Sequence, residues 1–215
     1  MEKSAGDVGI IKAVGDHIQR HIGDIAIVFH EKVSTDIHID IFHSADTPKR
    51  PFHTLVTSGM SQKPMSVPRG AEDGILAELM LCLPASWAVN AQAFKDENNY
   101  WPVRLLKRLA RYPHENKTWL YSGHSIISSD SPQPFAGNTK MTSAVLRYPF
   151  LVPDNALTID VADGRRIRLW AVVPVYSEER VFIERNGFER FEELLRQHRV
   201  TELLDPNRVN VALMQ

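Results

Sequence analysis

The chain has 215 residues, with 25 Lys+Arg against 26 Asp+Glu and a formal net charge of −1, so no global field draws it to nucleic acid or an anionic membrane. Its apolar content is that of a folded chain, and the single cysteine, Cys82, excludes an intramolecular disulfide and a Cys-rich zinc site. MEKSAGDVG at the start lacks the regions of a signal peptide, and no apolar stretch approaches the ~20 residues that span a bilayer, so a soluble, cytosolic protein is expected.

In chain order, residues 5–22 place Ile11, Val14, Ile18 and Ile22 at helical spacing, although Gly6, Gly9 and Gly15 weaken the helix and its first turn. IAIVF (25–29) and IHIDIF (37–42) are β-rich, PFHTLVTSG (51–59) reads as a strand, and ILAELMLCLP (75–84) as a buried strand closed by Pro84. The strongest helix signal is DENNYWPVRLLKRLARYPHE. Asp96, Asn98 or Asn99 can cap it, Pro102 fits its first turn, Leu105, Leu106, Leu109 and Tyr112 form one face, and Pro113 stops it. SGHSIIS (122–128) reads as a strand, followed by the loop SDSPQPFAGN. In LTIDVADGRRIRLWAVVPV two apolar runs flank an Asp163-Gly164 turn, which predicts a hairpin. SEERVFIERN and GFERFEELLRQH are helical, with Phe188, Phe191, Leu194 and Leu195 facing inward. This order predicts an α+β fold, a mixed, largely antiparallel central sheet flanked by helices, in one domain over 1–215 with 1–24 as an N-terminal helix or extension.

Chemistry clusters first at FHEKVSTDIHIDIFHS, which holds His30, Glu31, His38, Asp40 and His43. Period-two alternation puts Ile37, Ile39 and Ile41 on one face and His38 and Asp40 on the other, about 7 Å apart on a strand rising about 3.3 Å per residue. That pair suits a facial metal site if His30 or Glu31 adds a third ligand, and a metal-dependent hydrolase using His38 and Asp40 is the alternative functional reading. The helical zinc motif fails, because it needs a histidine where Ser34 stands. A half-exposed strand whose polar face meets neighbours or water is the preferred reading, so no metal or catalytic residue and no cofactor is assigned.

Nucleophile-elbow, Walker and dinucleotide-binding patterns are absent. Ser58-Gly59-Met60-Ser61 reads as a structural turn, with Gly59 able to take positive φ. Arg104, Lys107, Arg108 and Arg111 fall within about a 100° arc of their helix, away from Leu105 and Leu109. Such a stripe is read as a solvated face, and nucleic acid is not expected as a partner. Cys82 and the four tryptophans read as core residues.

Together, VFHEKVSTDIHIDIF, TLVTSGMS, DENNYWPVRLLKRLARYPHENKTWLYSGH, PFAGNTK and the closing DPNR resemble bacterial single-domain members of the suppressor of fused family, over Val28 to Arg208. Trp101-Pro102, Leu109-Ala110-Arg111-Tyr112 and Ser122-Gly123 also follow the order of the animal protein's N-terminal domain. The resemblance implies a non-enzymatic protein–protein interaction domain. In the animal protein a short extended peptide joins the fold as an added strand, with affinity from main-chain hydrogen bonds and selectivity from flanking side chains. Carried onto this chain, the implied partner-binding residues are Tyr112, Ser122, Gly123, His124, Ser125 and Ile126. His124 replaces an acidic residue of the animal pattern and the second clamping domain is absent, so Gli-type binding is not carried over. Bacterial relatives point instead to an immunity protein or inhibitor whose partner is a polymorphic toxin or other protein.

Overall fold

The computed structural model describes residues 7–31, 37–72, 75–127 and 132–214. Helix α1 runs Val8–His21. The Asp7 carboxylate accepts from the N–H groups of Gly9 (3.0 Å) and Ile10 (3.3 Å), which secures a first turn that glycine would otherwise fray. The helix therefore starts after the expected residue 5, which with residue 6 lies outside the described residues. Ile10, Val14 and Ile18 are buried.

The strands are β1 (Ile25–Phe29), β2 (Asp40–Ser44), β3 (Phe52–Ser58), β4 (Ala77–Pro84), β5 (Ser125–Ile127), β6 (Ser143–Arg147), β7 (Thr158–Asp160) and β8 (Arg166–Val175). They form one sheet in the order β1-β2-β3-β4-β8-β6-β5, with β7 added against β8. The β4–β8 pair is parallel and the other pairs among the described residues are antiparallel, so the α+β, largely antiparallel expectation holds. Asp163-Gly164 turns the β7–β8 hairpin, with Gly164 at φ +87°.

Alternation assigns the faces. Ile41, Leu55, Leu79, Leu81, Ala144, Leu146, Trp170 and Val172 join Ile37 and Ile39 in a core under helix α2 (Glu97–Glu115). Phe42, Val56, Met80, Leu169 and Ala171 point the opposite way, toward α1. Farther along that face, Val145, Val173 and Val175 pack against α3 (Ser177–Asn186) and α4 (Phe188–Gln197) through Ile183, Phe191, Leu194 and Leu195. Phe188 is partly buried against the same cluster. Because helices cover both faces, β2 is buried along its whole length, and the half-exposed strand expected at 37–42 is corrected to a buried strand at 40–44.

Two expectations about α2 also change. Asp96 caps it, accepting from Asn98 N–H at 2.9 Å, so the helix begins at Glu97 and Pro102 falls beyond the first turn. The N–H that Pro102 lacks would have served the Asn98 carbonyl. Asn138 Nδ2 donates to that oxygen instead, at 2.9 Å, and Trp87 Nε1 donates to the Asn99 carbonyl at 3.1 Å. Phe135, from the same PFAGNTK stretch as Asn138, stacks on Trp101 at a centroid distance of 5.3 Å. Nor does Pro113 end the helix, which continues to Glu115. Pro113 is buried, and Asn116 N–H still reaches the Tyr112 carbonyl at 3.0 Å.

Candidate functional site

The expected strand 122–128 resolves into a turn and a short strand, and its last residue, Ser128, lies outside the described residues. Gly123 takes φ +86°, a conformation other residues resist, so the extended run cannot start before Ser125. Gly123 N–H donates to the Leu146 carbonyl (2.8 Å) and Leu146 N–H to the His124 carbonyl (3.0 Å), so two residues oppose one in the manner of a β-bulge. The Phe188 ring packs on Gly123, where a Cβ would come within 3.2 Å of it.

Beyond the bulge, Ser125 faces Val145, Ile126 faces Ala144 and Ile127 faces Ser143. With His124 bonded to Leu146, Ile126 is the next residue bonded inward, and the main-chain groups of Ser125 and Ile127 point to the outer side. Among the described residues β5 is an outermost strand of the sheet. Ile126 is 7 % exposed, with its side chain in the core under α2. Ser122, Gly123, His124 and Ser125 are half-buried. The His124 ring meets Trp119 edge-on at 4.8 Å, and burial pulls its pKa below the ordinary histidine value.

Tyr112, half-buried in the last part of α2, packs on the same core. Arg108, one turn earlier, donates to the Ile127 carbonyl and so couples the helix that carries Tyr112 to β5. The rest of the basic stripe is similarly engaged. Arg104 pairs with Glu97 and donates to the Phe135 carbonyl (2.7 Å), and Arg111 pairs with Glu31. Lys107 is half-buried, and burial lowers its pKa. What reads in sequence as a solvated face is largely lacing between α2 and its neighbours.

At the opposite end of the strand order, among the described residues, lies β1. Along it runs a groove of about 740 Å³ lined by residues that include Phe29, His30, Phe94, Tyr100 and Lys107. At its rim the cluster of His30, His38 and Asp40 converges. Asp40 Oδ2 lies 2.9 Å from His30 Nδ1, and Asp40 Oδ1 lies 2.9 Å from His38 Nε2 and accepts Glu31 N–H at 2.9 Å. The side chains thus close the separation expected from strand rise alone. Glu31 turns away, accepting from Ile39 N–H and pairing with Arg111. Ser34, where a helical zinc motif would need histidine, lies outside the described residues. His43 stands apart, with Nε2 3.1 Å from His53 Nδ1. Sequence reasoning had no signal for the groove or the Glu31–Arg111 pair, whose members are 80 positions apart.

Cys82 is fully buried, and burial raises its thiol pKa. Trp101 and Trp170 are fully buried, while Trp87 and Trp119 pack partly buried against the α2-side core. Gly59 has φ +138°, as a structural turn requires, and a Cβ there would collide with the His38 carbonyl oxygen. Among the described residues no helix is long and apolar enough to cross a membrane.

The family model "Suppressor of fused protein (SUFU)" matches residues 35–209. Among solved structures, a Neisseria gonorrhoeae protein described as a suppressor of fused homologue superposes with TM-score 0.69 at 15 % identity, covering 94 % of this chain and 96 % of that one. A crystal structure of the Sufu–Fu complex gives TM-score 0.66 at 14 % identity, covering 95 % and 93 %. Drosophila Suppressor of Fused gives 0.61 at 15 % identity, covering 95 % of this chain and 51 % of that one. A search of the curated proteins finds no match.

Proposed function

The chain belongs to the suppressor of fused family, and from that premise we propose that it is a non-enzymatic, cytosolic protein-interaction domain whose partner adds an extended segment to the outer side of β5. The observation that carries this reading is the register of β5, which turns the Ser125 main-chain groups and the Ile127 N–H outward, the Ile127 carbonyl being held by Arg108 from the helix bearing Tyr112. Such an edge binds by main-chain hydrogen bonds, with Tyr112 and the Ser122–Ser125 segment selecting the partner's side chains while Ile126 anchors the strand in the core. One of the similar structures is a Sufu–Fu complex, which agrees with a protein partner. The whole of 1–215 is read as a single domain of this type, acting as an immunity protein or inhibitor of a polymorphic toxin.

Support for a binding role over hydrolysis comes from Glu31. Glu31, next to His30 in the chain, is a carboxylate that could serve as a general base, and it is held by Arg111 and Ile39 N–H instead. The engaged arginines of α2 likewise support a protein partner over a phosphate backbone.

Ser125→Pro tests the edge. It removes an outward N–H and leaves the β5–β6 ladder bonds in place. The toxin-like product of a neighbouring gene, purified with the wild-type chain, should be captured, and Ser125→Pro or the Tyr112→Ala/His124→Ala pair should lose it with unchanged circular dichroism. Equal capture by folded variants would exclude this edge. Failure of the chain to relieve that product's toxicity on co-expression would exclude the immunity role.

A further inference from the structure

We propose that His30, His38 and Asp40 bind one divalent transition-metal ion that fastens the end of β1 to the start of β2. This site is separate from the β5 edge, and neither reading depends on the other.

Three donors converge on it from separate points of the backbone. The two oxygens of the Asp40 carboxylate each meet a different imidazole nitrogen at 2.9 Å, and all three ligand atoms lie within 4.8 Å of one another. A tetrahedral ion with bonds of about 2.1 Å needs ligand atoms about 3.4 Å apart, so modest side-chain adjustment seats it. The His30 side chain, 73 % exposed, has the freedom to make that adjustment.

Orientation is already built in. Asp40 is 7 % exposed, and Glu31 N–H holds its Oδ1 at 2.9 Å, the kind of outer hydrogen bond that fixes a ligand carboxylate. Glu31 itself is kept out of the coordination sphere by Arg111, leaving two imidazoles and one carboxylate. On binding, each imidazole presents the lone pair of the nitrogen that now faces Asp40 and carries its hydrogen on the other ring nitrogen. Two imidazoles with one carboxylate suit Zn²⁺, Co²⁺ or Ni²⁺ and discriminate against Mg²⁺ and Ca²⁺, which prefer all-oxygen shells. His30 also lines the β1 groove, so the ion has a path in from solvent.

The test is calorimetric titration of the untagged full chain with ZnCl2 and, separately, MgCl2. One Zn²⁺ per chain is expected, with no Mg²⁺ uptake. His30→Ala, His38→Ala and Asp40→Asn should each weaken binding more than about tenfold. His30→Ala alters an exposed side chain and remains decisive where Asp40→Asn fails to fold. Zn²⁺ should raise the Tm of the wild type and leave that of His30→Ala unchanged. Absence of Zn²⁺ uptake, or equal uptake by folded His30→Ala and His38→Ala, would overturn the proposal. So would loss of binding in His21→Ala, which would move the ion to the His17–His21 pair on α1.

Discussion

Arg108 donates from Nη2 to the main-chain carbonyl of Ile127 on the outer side of β5. A guanidinium from the covering helix thus caps one acceptor of an edge that would otherwise present its main chain to any passing strand. Natural sheets blunt their edges with charged groups for this reason. The same bond ties α2 to the sheet margin.

Arg108→Ala should therefore keep its fold while losing about 1.5–3 kcal/mol of stability, the scale of a hydrogen bond from a charged donor. With the edge uncapped, self-association should rise. Urea unfolding and analytical ultracentrifugation at several concentrations read the two effects. A variant as stable and as monodisperse as wild type would show that the contact contributes neither.

Glu78, fully buried in β4, gathers donors from the end of β3 and the turn after it. Its Oε1 accepts Gly59 N–H (2.9 Å), Ser61 N–H (3.0 Å) and Ser61 Oγ (2.6 Å), and its Oε2 accepts Thr57 Oγ1 (2.5 Å). Burial pushes the carboxyl pKa up while these bonds pull it down, and burial prevails. Glu78→Ala would strand several buried donors and should cost about 3–5 kcal/mol. Glu78→Gln keeps one acceptor oxygen and should cost distinctly less. Equal losses in the two variants, measured by denaturant unfolding, would contradict the network account.

Arg208, the last residue of DPNR, forks onto Glu179 with both bonds at 2.6 Å and also donates to the Pro174 carbonyl at 2.9 Å. Glu179 is fully buried, so Arg208→Ala would leave its carboxylate without a counter-ion and should cost about 3–5 kcal/mol. Arg208→Lys restores charge without the planar fork and should recover only part of that loss. Chemical denaturation of the three proteins side by side decides it, and full recovery by lysine would show that charge alone matters.

Acid sensitivity should centre on His43. Its burial first, then the neighbouring His53 and Arg50, depresses its pKa from 6.5 to about 4. In the unfolded chain the imidazole takes a proton near pH 6.5, whereas in the fold it stays neutral down to about pH 4. Stability is therefore whole above pH 6.5, falls as pH drops through this window, and levels off below it. His43→Gln should lessen the loss between pH 7 and 5 without abolishing it, since burial also depresses His17 and His124. Identical pH profiles of the urea midpoint in variant and wild type would refute the assignment.

Much of the fold was legible in local pattern. The alternation of Ile37, Ile39 and Ile41 picked out residues that all enter the α2-side core. Asp163-Gly164 located its hairpin, and the Asp96 cap and leucine periodicity located α2. Pattern failed where a distant group decided the outcome. Pro102 reads as a first-turn residue until Asn138, from another part of the chain, satisfies the carbonyl it leaves open. The Arg104–Arg111 stripe reads as solvated until its acceptors at Glu97, Phe135, Ile127 and Glu31 are brought to it. The turn at Gly123 was hidden because a lone glycine does not declare the sign of its φ, and that sign moved the start of the expected partner strand to Ser125.

By itself, the sequence determined the α+β class, the hairpin and principal helices, and a family-like set of motifs, because these depend on residue period and turn chemistry within a few positions. Tertiary structure alone decided the sheet order, which places β1 and β5 at its two ends among the described residues, the outward register of Ser125 and Ile127, and the meeting of His30, His38 and Asp40. The physical reason is that burial, sheet edges and converging side chains belong to pairs of segments. A hydrogen bond between α2 and β5, or a carboxylate held between two imidazoles, exists only once packing has selected one arrangement of those segments.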